Sequence, residues 1–522
     1  MASTRVRKKS RRRPAEFLQK PRGLVHPRVQ QVGPEHFGIV SVDPAKARSK
    51  WMLCDFYGNV LLPPEWVAHN RVDLDAAVAQ VRAAMQQHGL GDLLVAVERT
   101  GRYHHPVKNA FTAAAFDTRV VHPYASKQFR QPADPSIKTD DTDLAAIQLA
   151  AVNGFALAEA RPDESWQRLQ LLVRHRRNLV QKSSALCCQI REHLDAALPG
   201  YAACFSNLWE SNLPFPLVRQ FGSAQGMLAA GLDGLARFAH EQGLRCQRRS
   251  LVTILEWAKT AAPPDLAADL HRRIALAYDA DRRQKCLEIQ ALERDSAHLL
   301  ARTPYILLLS FPGVNVVSAA AFAGEAGPME NYATARSITG RAGLFPARYQ
   351  SALVDRANGP LVRRGNHALR GAILDVADNL ILCNHYFNAM AARWRAAGKD
   401  PRHTHVKIGM RFCRIAYHMV AGRQVFRHPC LRERSYILDK LLAFHNQHQT
   451  PIQDTLQDLN HAMEHVPKKE YRAEARPLGE RLEREQRRSR GPQLLSEVLT
   501  IVLARLGVGR VQSTESGASD PA

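Results

Sequence analysis

The sequence predicts an α/β domain followed by a long helical region and a second, mainly helical domain. Three observations carry this expectation. Between His36 and Val152, short apolar runs alternate with helix-spaced stretches, the texture of a sheet covered by helices. Between residues 163 and 300, apolar side chains recur at seven- and four-residue steps with abundant charge between them. From residue 304 an apolar block dotted with glycine gives way to helical patterning that continues to residue 426.

Length and composition bound the rest. At roughly 100–200 residues per domain, 522 residues allow two to four domains. A hydrophobic content of 45% with 23% charged residues excludes wholesale disorder. No run of about 18 apolar residues is present to cross a membrane. The basic start of the chain lacks the apolar segment of a secretory signal. Nine scattered cysteines without a CxxC pair argue against a disulfide scaffold or zinc ribbon, and favour an intracellular setting. The 72 Lys+Arg against 49 Asp+Glu leave a net charge of +23. That sign suits a phosphate-rich partner, because each cation placed on a phosphate releases a counterion. Residues 1–22 hold nine Lys/Arg and one Glu, so eight of the charges lie there and +15 remains on the other 500 residues.

Taken in order, residues 1–35 are expected to be a basic, disordered extension. In the α/β domain (36–155), FGIVSVD (37–43), KWMLCDF (50–56), LLVAVE (93–98) and TRVVHP (118–123) have strand character, and residues 73–90 have helical spacing. In the assembly region (160–300), Leu172, Leu179 and Leu186 fall seven apart, as do Val173, Val180, Cys187 and Leu194. Leu266, Leu270, Ile274 and Tyr278 follow at four-residue steps. Two long antiparallel helices of coiled-coil type are expected, with 201–262 as a helical insertion. Residues 301–450 form the second, mainly helical domain, and 451–522 a polar, largely disordered tail.

Four acids stand out. Asp43 and Glu98 each end an apolar strand, where α/β sheets gather functional side chains. Asp140 and Asp143 open a helix three residues apart and so share a face. Four converging carboxylates repel unless a divalent cation neutralises them, and hard oxygen donors suit Mg²⁺ or Mn²⁺. The plainer alternative is that DDTD only caps a helix, since acids are favoured there by the dipole.

The order VSVDPAK, VAVERTGRY, VHPYASKQFR, KTDDTD resembles the RuvC-like, RNase H-fold domain of the DEDD transposases of bacterial insertion sequences, related to the Piv-type DNA invertases. The resemblance implies that Asp43, Glu98, Asp140 and Asp143 are catalytic metal ligands. Farther along, SFPGVNVVSAAAFAGEAG, ARSITGRAGLFPARYQSA and RRGNHALRGAIL resemble the C-terminal domain of the same family, whose nucleophilic serine corresponds to Ser351. Ser310 and Ser337 are the neighbouring alternatives. A serine attacking a metal-bound phosphate would give a covalent serine–DNA intermediate that conserves bond energy for rejoining. Arg363, Arg364 and Arg370, around the Gly-Asn pair, and Lys138, before the acids, are candidate phosphate contacts.

The resemblance further implies a bacterial, cytoplasmic and nucleoid-associated enzyme acting on double-stranded donor and target DNA. It implies a homo-oligomer, dimer or tetramer, with the serine of one subunit meeting the acids of another. It also implies guidance by a structured noncoding RNA. Two other readings stay open: an RNase H-type nuclease that uses water and the acids alone, and a basic nucleic-acid scaffold whose acids are structural.

Overall fold

The computed structural model describes residues 23–130, 138–159, 163–347, 349–351, 354–356 and 359–488. The chain divides into two compact units, Met1–Arg161 and Pro162–Ala522.

The first unit is built on one mixed sheet. Its elements are α1 (His26–Val32), β1 (Phe37–Pro44), β2 (Arg48–Asp55), β3 (Val60–Ala68), α2 (Arg71–Gln87), β4 (Asp92–Glu98), α3 (His104–Ala113), β5 (Asp117–Val121), α4 (Pro123–Arg130), α5 (Asp140–Val152) and β6 (Ala156–Leu157). The strand order is β3-β2-β1-β4-β5-β6. The β1–β2 and β2–β3 pairs are antiparallel, and β1–β4 and β4–β5 are parallel. This is a mixed α/β arrangement with a six-stranded sheet, the fold class expected.

Side-chain alternation sorts the two faces of the sheet. Val40, Val42, Val95 and Val97 point to one side and pack with Leu74, Val78 and Val81 of α2 and Val107 and Phe111 of α3. Phe37, Ile39, Leu94 and Ala96 point to the other and pack with Ile147, Ala150 and Ala151 of α5 and Val29 of α1. The α1 segment corrects the expectation of an unstructured stretch through residue 35. Arg28 on α1 pairs with Asp92 at 2.6 Å and also with Asp117, fastening the helix to the starts of β4 and β5. Residues 1–22 lie outside the described residues.

The second unit begins with α6 (Glu164–Ala197), continues through α7 (Pro214–Phe221), α8 (Ala224–Glu241) and α9 (Arg248–Thr260), and returns along α10 (Ala268–Ala301). Arg176 meets Glu293 at 2.6 Å, and His193 meets His271 at 2.8 Å. Partners thus run in opposite directions, so α6 and α10 are antiparallel. The seam on α6 is partly the expected one: Val173, Leu179, Leu186 and Leu194 are buried. On α10 the buried positions are instead Ala275, Asp279, Ser296, Ala297, Leu300 and Ala301, whereas Leu270 and, just before the helix, Leu266 are exposed. Asp279 is fully buried, and Arg282 and Arg283 both hydrogen-bond its carboxylate, which offsets the cost of desolvating it. A polar knot therefore stands where an apolar stripe was expected.

The remainder comprises α11 (Val316–Ala326), α12 (Ala335–Arg341), the hairpin strands β7 (Tyr349–Ser351) and β8 (Val354–Arg356), α13 (His367–Cys383), α14 (His385–Ala396), α15 (Pro401–Ala421), α16 (Ile437–Gln447), α17 (Ile452–His465) and α18 (Tyr471–Arg488). One core joins Leu307, Phe322, Ile373, Phe412 and Leu441 to Leu459, Met463, Leu478 and Leu482. The last four correct the expected disordered tail from residue 451 as far as residue 488, and residues 489–522 lie outside the described residues. Segments α17 and α18 look polar because each presents only a narrow apolar stripe, yet that stripe is buried. Glu470 and Glu474, each 1% exposed, are satisfied by Arg427 and Arg434 and by the Ile437 amide.

Candidate active site

Asp43 and Glu98 are brought together by register. Val42 on β1 pairs with Val97 on the parallel strand β4, and the two acids follow one residue later on each strand. Both belong to the sheet face that carries Ile39 and Ala96, the face packed by α5. On α5, Asp143 lies one helical turn before Ile147, which is fully buried against that face. The first turn of α5 therefore meets the C-terminal ends of β1 and β4.

Capping does not consume the aspartates. Thr139 is the N-cap: its hydroxyl accepts the Thr142 amide at 3.2 Å, and the Thr142 hydroxyl accepts the Thr139 amide at 3.0 Å. This reciprocal pair leaves the carboxylates available. The extra acid, Asp141, turns elsewhere and pairs with Lys50 on β2 at 2.6 Å. Leu144 packs beside it against Met52 and Cys54.

Electrostatics reports the convergence. The Asp43 carboxyl is pushed up to about 6, first by burial and then by the negative charges of Glu98, Asp143 and Asp140, with Lys138 opposing. Asp143, 7% exposed, accepts a hydrogen bond from Arg130 at the end of α4, and Lys138 lies 4.0 Å from it. Glu98 accepts hydrogen bonds from Ser126 and, at 3.2 Å, from Thr100. Sequence reasoning missed Arg130, Ser126 and Thr100, although Ser126 and Arg130 lie within the quoted YASKQFR stretch and are spaced to share one face of a short helix.

The donor set fits a hard divalent cation in kind: carboxylate oxygens whose mutual repulsion disfavours the charged form of Asp43. In the arrangement seen, Arg130 holds Asp143. Among the described residues, no three His, Cys, Asp or Glu side chains stand close enough to hold a metal ion.

The second motif group lies in the other unit. The backbone of Ser351 ends β7 and is in register with Val354 on β8, so it sits at the turn end of a two-stranded hairpin. Its side chain lies outside the described part. Ser310 is a structural residue: it is buried, donates to the Leu307 carbonyl at 2.6 Å and accepts the Phe426 amide at 2.8 Å. Ser337 contacts Thr334 at 3.2 Å near the start of α12.

Among the three arginines, Arg370 has a different place from the one expected. Its guanidinium donates to the carbonyls of Ala342 at 2.9 Å, Gly343 at 3.2 Å and Val362 at 2.7 Å. Gly343 has φ +67°, and a Cβ there would collide with that guanidinium and with the Arg364 carbonyl. Arg370 thus ties the loop around the hairpin together, whereas Arg363 and Arg364 are exposed.

Asn366 caps α13, accepting the Ala368 and Leu369 amides at 3.0 and 3.1 Å. Its amide nitrogen donates to Glu325 at 3.0 Å, and Glu325, 3% exposed, takes a two-pronged contact from Arg174 at 2.6 and 2.9 Å. The basic turn is therefore braced by the long helix α6.

Two comparisons with protein families bear on this arrangement. Residues 40–199 match a transposase family model of the DEDD type found in IS110 elements. Residues 305–392 match the transposase model of the IS116/IS110/IS902 family. The first span contains all four acids and the second contains Ser351. No curated protein matches the chain.

Proposed function

The chain carries both segments of an IS110-family transposase, and from that premise we propose that it cuts and rejoins DNA by serine attack on a phosphodiester beside a four-carboxylate metal site. One observation carries the reading. Register puts Asp43 and Glu98 side by side, and the first turn of α5 adds Asp140 and Asp143, whose charges raise Asp43.

In this reading Asp43, Glu98, Asp140 and Asp143 hold Mg²⁺ or Mn²⁺, which when bound offsets negative charge on the scissile phosphate and polarises it. Ser126 and Thr100 fix the Glu98 carboxylate through their hydroxyls. The Ser351 Oγ attacks phosphorus and forms a P–O bond. The bond to a deoxyribose oxygen breaks, and that oxygen leaves as a hydroxyl with the proton the serine gives up. The resulting phosphoserine ester keeps its bond energy, so a hydroxyl from another strand can reverse the step and reseal. Hydrolysis would not retain that option.

The family premise also supports a homo-oligomer with Ser351 and the acids supplied by different copies, and guidance by a structured RNA that pairs with donor and target DNA. The basic body, +15 outside the first 22 residues, suits two polyanions at once. The α6–α10 pair is the natural assembly element, with Lys138, Arg363 and Arg364 offered to phosphates.

Strand exchange on donor and target duplexes tests the reading. Asp43→Asn and Asp140→Asn are each expected to lower exchange by a hundredfold or more while DNA binding persists. Exchange at the wild-type rate in both would leave the acids a structural role.

A further inference from the structure

A basic groove in the second unit lies outside both motif groups. It is a cavity of about 530 Å³ between α15, the segment after it and the turn before α18. Its rim carries Arg411, Arg414, His418, Arg427 and Lys469, and its wall carries Tyr386. Glu470 is the one acid lining it among the described residues, and that carboxylate is taken up by Arg427 and Arg434. Arg411, Arg414 and Lys469 are therefore left without a lining carboxylate to balance them.

The helix explains the layout. On α15, Ile408, Phe412, Ala416 and Met419 are buried in the core. Lys407, Arg411, Arg414 and His418 are exposed, at steps of four, three and four. They form a stripe about 16 Å long at 1.5 Å per residue. Arg411 reaches the Tyr386 hydroxyl at 3.2 Å, and the Tyr386 ring lies 4.1 Å from the His428 ring at an interplanar angle of 38°. One turn before Arg411, beyond the groove lining, Lys407 lies 5.8 Å from the Trp394 ring. Cations along one edge with aromatic rings beside them are what an extended nucleic-acid strand uses: phosphates on the cations, a base on a ring face. The cavity has the dimensions of a small-ligand site, which suits a nucleotide of a single strand and not a whole duplex.

We propose that this groove binds the phosphodiester backbone of a single nucleic-acid strand, with Arg411 and Arg414 on adjacent phosphates and the Tyr386–His428 pair against a base. The site does not depend on the carboxylates, so it can be tested with chemistry switched off.

The test uses the full chain in EDTA with three fluorescent probes: a 12-nucleotide dT strand, a 12-nucleotide rU strand and a 20-base-pair duplex. The double variant Arg411→Gln, Arg414→Gln is compared with Arg248→Gln, Arg249→Gln, which removes two exposed arginines from α9. Loss of two phosphate contacts is expected to weaken strand binding about tenfold or more and to make the salt slope shallower by about 1.4. The α9 pair should leave both nearly unchanged. Tyr386→Leu should weaken strand binding about tenfold without changing the slope, since stacking carries no counterion release. The dT and rU arms identify which strand is preferred, and either preference supports the site. An unchanged slope in the groove variant, an equal loss in the α9 variant, or a loss confined to the duplex would overturn it. Strand exchange at the wild-type rate in Asp43→Asn and Asp140→Asn, with strand binding in the groove intact, would count against the four-acid reading alone.

Discussion

The guanidinium of Arg130, the last residue of α4, is hydrogen-bonded to the carboxylate of Asp143 in the first turn of α5. The second aspartate of the Lys-Thr-Asp-x-x-Asp motif is thus met by a cation from the preceding helix. A divalent ion at the four carboxylates and the Arg130 charge make the same demand on Asp143. Arg130→Gln should therefore tighten Mn²⁺ binding several-fold in the DNA-free protein, measured by titration calorimetry. Weaker binding in the variant would mean that Arg130 organises the site and does not compete for it.

Arg370 is a second place where the charge serves the fold. Four carbonyls from two sides of the loop, Ala342, Gly343, Val362 and, at 3.4 Å, Arg364, converge on one guanidinium. A lysine cannot reproduce that fork. Both Arg370→Ala and Arg370→Lys should cost about 2–4 kcal/mol in denaturant unfolding, given about 1.5–3 kcal/mol per hydrogen bond to a charged group. A loss below about 1 kcal/mol in both would remove Arg370 from the list of loop-holding residues.

The sheet was readable from the sequence because apolar runs ending in acids leave few alternatives. Strand character at 37–43, 50–56 and 93–98 coincides with β1, β2 and β4, and the pairing of β1 with β4 follows from burial of both faces. The acids were readable for the same reason: each stands where a strand or helix begins or ends. Arg130 and Ser126 were not, because a short polar helix gives no sign of which neighbour its tips will touch. The α10 surface misled, since Leu266 and Leu270 keep a four-residue step yet face solvent while Asp279 is buried and paired with two arginines. The terminal helices misled in the opposite sense, as their high charge hides Leu459, Leu478 and Leu482.

Those terminal helices carry a pH dependence. Burial pushes the Glu474 carboxyl up to about 7, against the pull of Arg434 and of the Ile437 and Leu438 amides. Between about 4.5 and 7 the folded chain then binds more protons at this position than the unfolded chain. The contribution is full below the unfolded value and is lost as pH rises through 7. Glu474→Gln keeps an oxygen for the Ile437 amide and removes the titration. Its stability should match wild type near pH 5 and exceed it at pH 8 by up to about 3 kcal/mol. A variant less stable than wild type at pH 8 would show that the ionised carboxylate is the stabilising form.

Glu325 links α11, α6 and the cap of α13 through Arg174 and Asn366. Glu325→Ala leaves the Asn366 amide and the Arg174 fork without their partner. A destabilisation of about 3 kcal/mol is expected from breaking a buried pair on one side. Faster hydrogen exchange at the α13 N-terminus should accompany it, and unchanged exchange there would contradict a bracing role.

The most direct measurement is the covalent adduct. Wild-type protein incubated with Mg²⁺ and labelled donor and target DNA, with the matching guide RNA, should give a detergent-resistant protein–DNA band mapped by mass spectrometry to Ser351. Ser351→Ala should abolish that band, Asp43→Asn should reduce it by a hundredfold or more, and EDTA should suppress it in wild type. Cleavage at the wild-type rate by Ser351→Ala, with no adduct in any sample, would contradict serine attack and leave water as the nucleophile.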